Sequence, residues 1–197
     1  MLKTALLLFA VTVTVLVILA VLPERERTLP DQRITLSNAR VTLYPEADPQ
    51  AIWRFQAPEA SYDPERNEST LYQIADGRRE VAGDVDFTVA SEKLTINRRD
   101  DILGELVFAF LVETGECLTM QGNPEAPVVI DQEQGKFEVP VLEITGPSWG
   151  DDTRLEQMSV SFDLEDFDGG GTGTTTVTEF RVGQADEARR RTVCESS

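Results

Sequence analysis

The chain has no histidine among its 197 residues and only two cysteines. Without histidine neither a Ser-His-Asp nor a Cys-His arrangement can form, and the side chain most used for proton transfer near neutral pH is missing. No G-x-S-x-G elbow and no G-x-x-x-x-G-K-[ST] phosphate loop occurs either. Two pairs of adjacent carboxylates, Asp100-Asp101 and Asp151-Asp152, lie beside turn residues, where they keep a surface wet. Catalysis is therefore not expected. Two distant cysteines cannot supply the four ligands of a zinc site. The acidic stretch Asp163 to Gly173 (DLEDFDGGGTG) departs from the EF-hand spacing and reads as a solvated turn. No metal and no other cofactor is expected.

Positive charge is scarce as well. Beyond residue 23 there are 17 Lys or Arg against 35 Asp or Glu, a formal charge of −18. Such a surface repels polyanions, which argues against a nucleic-acid partner and against broad contact with anionic headgroups.

What the chain does have is one long apolar run. From Thr4 to Leu22 there are 19 consecutive uncharged residues, which as a helix reach about 28 Å, close to the ~30 Å hydrocarbon thickness of a bilayer. A cleavable signal peptide has a shorter apolar region and a small-x-small cleavage site. Here Ile18 and Leu22 stand where small residues belong. The expectation is an uncleaved single-pass anchor over residues 1–23, with a cytoplasmic N-terminus, a linker over 24–33 and an exported domain beyond.

Within that domain the hydrophobic period is two. Ile34 and Leu36, Val41 and Leu43, Trp53 to Ala57, Val85 to Val89, Leu94 and Ile96, Phe137 to Val141, and Met158 to Leu164 all alternate with other residues. Turn formers punctuate them at Asp63-Pro64, Asp76-Gly77, Asn97 to Asp101, Gly122-Asn123-Pro124, Gly135 and Gly146-Pro147. No amphipathic helix of convincing length stands out after residue 25. An all-β fold follows, a sandwich, jelly roll or open barrel, over residues 34–183. Val177 to Val182 reads as a last edge strand, and residues 184–197 read as a disordered tail. Leu106 to Val112 (LVFAFLV) is apolar on both faces, as in a central strand covered on each side or one facing a greasy ligand. Cys117 and Cys194 either pair, as an oxidising compartment permits, or leave a free thiol in the tail.

A weak repeat runs through the strands. Trp53 to Asp63 (WRFQAPEASYD) is echoed about 32 residues later, at Phe87 to Asn97 (FTVASEKLTIN), and again at Phe137 to Ile144 (FEVPVLEI). The phrase W-x-F-x-A-x-x-A-x-Y-D at Trp53 to Asp63, the phrase L-x-M-x-G-N-P-x-A-P-V-V-I at Leu118 to Ile130 and the N-terminal span together resemble the OstA-like, LptC and LptA superfamily, periplasmic parts of the lipopolysaccharide export bridge. With its anchor the chain is similar to the LptC type.

That resemblance implies an open, twisted β-jelly roll on the periplasmic side of the inner membrane. In the family, lipid acyl chains lie in the apolar interior and domains join edge to edge into a bridge, driven by an inner-membrane ABC transporter. The implied partners here are acyl chains of lipopolysaccharide or another envelope lipid, the transporter, and a second OstA-like β-domain docked by edge-strand addition. The candidate groove residues are Trp53, Phe55, Tyr62, Phe87, Val89, Leu94, Ile96, Phe108, Phe110, Leu118, Met120 and Phe137. The competing reading is a membrane-tethered β-scaffold with a closed, dry core that binds other envelope proteins without carrying lipid.

Overall fold

Alternating side chains place one apolar face on each strand, and the strands pair in nearly the order in which they are made. The computed structural model of the chain describes residues 33–169 and 183–195. It contains β1 (Ile34–Leu43), β2 (Ala51–Asp63), β3 (Glu68–Val81), β4 (Asp84–Ile96), β5 (Ile102–Gly104), β6 (Leu106–Leu111), β7 (Cys117–Gln121), β8 (Val128–Asp131), β9 (Lys136–Gly146), β10 (Gly150–Ser161) and β11 (Phe167–Gly169), followed by the helix α1 (Gln184–Cys194). All pairings are antiparallel. β5 and β6 lie end to end against β4, and β8 and β7 lie end to end against β9. One sheet results, with β1 at one edge and β11 at the other. Among the described residues these two edges do not pair with each other, so the sheet is open.

Two interruptions divide the middle strands. After β7, Gly122 lies so close to the next turn that a Cβ would stand 2.5 Å from the Ala126 carbonyl oxygen. Asn123 then accepts the amides of Glu125 and Ala126 on its side-chain oxygen, both at 2.9 Å. This is the Asn-Pro turn of the second sequence phrase, and it splits β7 from β8. The long strands bend at comparable heights. Asn38 in β1, Gln73 in β3 and Gln157 in β10 have φ of 52°, 56° and 53°, and the β2–β3 register shifts between Arg54 and Glu59. Bulges of this kind bend a strand and carry it from one layer to another. The sheet thus folds over on itself, and rings from β2, β4 and β9 meet inside it.

Strand β6 shows why its sequence is apolar throughout. Val107, Ala109 and Leu111 belong to the interior cluster, while Phe108 and Phe110 point to the opposite face, over which α1 packs. The strand is central and covered on both sides.

Three expectations need comment. Residues 184–194 form α1, not a disordered tail. Its charges, which suggested disorder, are ordered for a helix, with Asp186 and Glu187 in the first turn, Arg191 in the last, and Glu187 reaching Arg190 and Arg191 one turn on. The cysteines pair, Cys117 in β7 with Cys194 at the end of α1. The anchor at residues 1–23 and the strand expected at Val177 to Val182 lie outside the described residues. Among the described residues no helix is long and apolar enough to cross a membrane.

Candidate functional site

The interior is organised as rows that cross the sheet from strand to strand. Following the Cα partners, one row runs Ile34, Tyr62, Ser69, Ile96, Ile102, Ile130, Phe137, Val160 and Phe167, from the β1 edge to the β11 edge. A second runs Leu36, Ala60, Leu71, Leu94, Gly104 and Val128. Strand alternation makes both rows face inward. In mid-sheet they are fully covered, but at the β1 end they come out into solvent: Ile34 and Leu36 are each 54% exposed and Tyr62 is 36% exposed.

Ten of the twelve groove candidates stand on this inner face. Trp53, Phe55, Phe87, Val89, Leu94, Ile96, Leu118, Met120 and Phe137 are members of one buried cluster, and Tyr62 lies at its β1 rim, its hydroxyl donating to Asn67 at 2.9 Å. Phe108 and Phe110 are not with them; they lie on the outer face beside α1. The structure therefore does not assemble the twelve into one groove. The nine clustered side chains fill the space between the folded layers, as inward residues of a sandwich do.

Aromatic packing closes the far end of the interior. Trp53 stacks on Phe55 at 5.4 Å and meets Phe87 edge-on at 5.3 Å, and Phe87 and Phe137 both pack on Phe162, at 5.2 and 4.8 Å. The Trp53 indole N–H donates to Gln132 Oε1 at 3.1 Å. Arg79 seals this end. Its guanidinium lies 4.8 Å from the centre of Phe162 and 5.6 Å from that of Phe87, and it pairs with Asp48 and Asp86. A period-two reading puts an inward position at Arg79, yet charge alone suggests an exposed residue; only Asp48 in the β1–β2 connection, Asp86 near the start of β4 and the rings beneath explain its burial.

The surface also holds hollows open to solvent. On the outer face a cavity of about 790 Å³ lies between β4, β5 and the first two turns of α1, with Leu103, Leu106, Pro124, Pro127 and Ala185 as apolar walls and Lys93, Glu92, Asp186 and Arg189 at its rim. A shallower cleft of about 290 Å³ crosses β1 to β3 around Arg40, Arg54 and Arg78. There Arg54 and Arg78 are held above the usual guanidinium value by hydrogen bonds to Glu80 and Asp76. These arginines are already engaged by carboxylates.

Among the described residues the most deeply buried carboxylate, that of Glu116, is not paired with such a cation. Glu116 precedes Cys117; its Oε1 accepts the Ser148 amide at 3.2 Å, and among the described residues Oε2 has no hydrogen-bond partner. Burial alone raises its carboxyl, but the hydroxyls of Thr114 and Ser148 and the amides of Ser148 and Glu116 together hold it below the ordinary value. Among the described residues no group of three or more His, Cys, Asp or Glu is placed to hold a metal ion.

The Ile34–Leu36 rim and Arg79 were not among the sequence candidates, and Phe108 and Phe110 were named without the helix that covers them. The first carried a signal, since Ile34, Leu36 and Tyr62 obey the same alternation as the core. No family model and no curated protein matches this sequence.

Proposed function

We propose that this chain is an anchored envelope protein of the OstA-like, LptC type, which links an inner-membrane transporter to a second β-domain and passes lipid acyl chains along the joint. The supporting observation is the way the inward apolar rows emerge at Ile34 and Leu36 on β1 and at Tyr62 beside them on β2, at an edge that among the described residues pairs with no further strand. A strand or domain added to β1 by backbone pairing extends those rows and turns an exposed end into a covered apolar track. Two or three acyl chains present several hundred Å² of apolar surface, a barrier of order 10 kcal/mol to crossing water, at about 25 cal/mol per Å². In this reading lipid meets the chain at the β1 rim and not at Phe87 or Phe108, which are fully buried. Residues 2–22 tether the domain to the inner membrane, and it performs no chemistry on the lipid.

The filled interior favours a second reading, a tethered β-scaffold whose β1 edge binds envelope proteins alone. The two separate in one experiment on the full chain, extracted from membranes and carrying a photo-crosslinking residue at Leu36 or at Phe87. Lipid adducts at Leu36 and none at Phe87, with lipid in the native mass spectrum, are expected. Absence of lipid adducts at Leu36 together with protein adducts there leaves only the scaffold.

A further inference from the structure

The disulfide between Cys117 and Cys194 spans 77 residues, but it does not hold the sandwich together. Around Cys117 the strands are kept by their own ladders, with Phe110 opposite on β6 and Thr145 opposite on β9. What it holds is α1. The helix buries one side chain, Val193, and Arg189 pairs with Glu92 on β4; pairs such as Arg190 and Arg191 with Glu187 run within the helix. A helix of 11 residues has little stability of its own in water. Its place on the sheet therefore depends on the covalent link.

Beneath it lies surface that is costly to expose. Phe108 is fully buried on the face of β6 that α1 covers, and Phe110 lines a small cavity together with Thr192 and Val193. The first two turns of α1, through Ala185, Asp186 and Arg189, also form a wall of the 790 Å³ cavity. We propose that the Cys117–Cys194 disulfide is a redox-operated latch: while it is intact α1 covers the outer face of β6, and its reduction by a dithiol reductant releases the helix, uncovers Phe108 and Phe110 and opens the cavity.

The exchange takes two steps. A thiolate of the reductant attacks Sγ of Cys194, in the more exposed of the two residues; a mixed disulfide forms and the Cys117 sulfur leaves as a thiolate, which takes up a proton. The second thiol of the reductant then displaces Cys194. Two electrons pass to the chain, which ends with two thiols, and the reductant ends as a disulfide. The latch is independent of whether lipid reaches the β1 rim.

Three consecutive arginines within α1, Arg189 to Arg191, supply the readout. The full chain in detergent micelles is treated with trypsin, with and without dithiothreitol, and peptides ending at these arginines are followed by mass spectrometry. The Trp53 environment is followed in parallel by near-ultraviolet circular dichroism. Reduction is expected to speed cleavage at the three sites about tenfold or more while the near-ultraviolet signal stays, with the same result for Cys194→Ser without reductant. Cleavage rates that agree within roughly twofold in the two states overturn the proposal, because local opening then does not follow the bond. Collapse of the near-ultraviolet signal on reduction overturns it equally, since the bond is then a staple of the whole domain.

Discussion

Phe87 at the start of β4 and Phe137 at the start of β9 meet edge-on, with ring centroids 5.2 Å apart. In the ladder the two are remote. Phe87 pairs with Leu111, at the end of β4 that faces β6, whereas Phe137 pairs with Ile130 on β8, whose neighbour β5 faces the other end of β4. The contact exists because the sheet bends at mid-strand and lays one half on the other. It therefore reports the fold-over itself.

The first prediction is that Phe87→Ala and Phe137→Ala each destabilise the domain by about 3–5 kcal/mol, the usual cost of removing a buried ring. The double variant loses less than the sum by about 0.5–1.5 kcal/mol, since the ring-on-ring term is counted once. Urea denaturation of the four proteins in a double-mutant cycle measures this. Strict additivity denies that the rings touch.

Arg79 ties the closed end together by pairing with Asp48 and Asp86 over Phe162 and Phe87. Arg79→Met keeps the apolar stem but leaves two partly buried carboxylates without their cation, a loss of about 2–3 kcal/mol. Arg79→Lys is expected to recover less than half of that, because an ammonium cannot serve two carboxylates and a ring face at once. Denaturation midpoints of the two variants check the order.

Much of the architecture was legible from alternation. The three copies of the repeat, at Trp53, Phe87 and Phe137, are β2, β4 and β9, and the Gly122-Asn123-Pro124 turn falls between β7 and β8. Alternation names the residues that point inward and is silent on what lies across from them. Nothing local in Phe87 foretells Phe137, and nothing in Phe108 foretells α1. The bends were also hidden, because Gln73 and Gln157 take a positive φ that neither residue advertises. Nine of the twelve groove candidates lie in the interior cluster, whereas Phe108 and Phe110 face α1. Whether an interior is full or hollow depends on how far two layers approach, and no strand pattern records that distance.

Glu116 gives a pH prediction with a definite sign. Burial works to raise its carboxyl, and hydrogen bonds from Thr114, Ser148 and two backbone amides overcome it, so the folded value is depressed. A depressed value contributes stability above the unfolded pKa, about 4.3 for glutamate, and that contribution is lost as pH falls through the folded value. Glu116→Gln is therefore expected to cost about 1–2 kcal/mol at neutral pH, from weakened hydrogen bonds to Ser148 and Thr114. The gap to the unaltered protein should hold from pH 6 to 8 and narrow below about pH 4. A gap that widens on acidification contradicts the assignment.

Gly77 in β3 sits between its neighbours in the sheet, opposite Val89 on β4 and beside Phe55 on β2. A Cβ there would stand 2.7 Å from a Val89 methyl and 2.9 Å from the Phe55 ring. Its φ imposes no left-handed requirement, so the demand is for space alone. Gly77→Ala is expected to destabilise by about 1–3 kcal/mol through overpacking, and Phe55→Leu in the same chain to restore part of it. Thermal melts of the single and double variants decide; no rescue means the clash lies elsewhere.

Phe108 and Phe137 are both fully buried phenylalanines in neighbouring regions of one sheet, yet replacing each by glutamate should have different consequences. Phe137 belongs to the interior cluster, enclosed by Phe87, Phe162 and Val160, so a carboxylate there is cut off from water, and the several kcal/mol of desolvation fall on the whole domain. Phe137→Glu is expected not to fold. Phe108 faces the other way, under a short helix, and a carboxylate at that position regains water when α1 lifts. With the Cys117–Cys194 bond reduced, Phe108→Glu is therefore expected to keep the near-ultraviolet signature of Trp53 while trypsin cuts rapidly after Arg189, Arg190 and Arg191. The remaining strands should stay as resistant as in the unaltered chain, because Val107 and Ala109 still hold β6 to the core from beneath. If Phe108→Glu unfolds as completely as Phe137→Glu, the outer face is an integral part of the core and α1 is no separable cover.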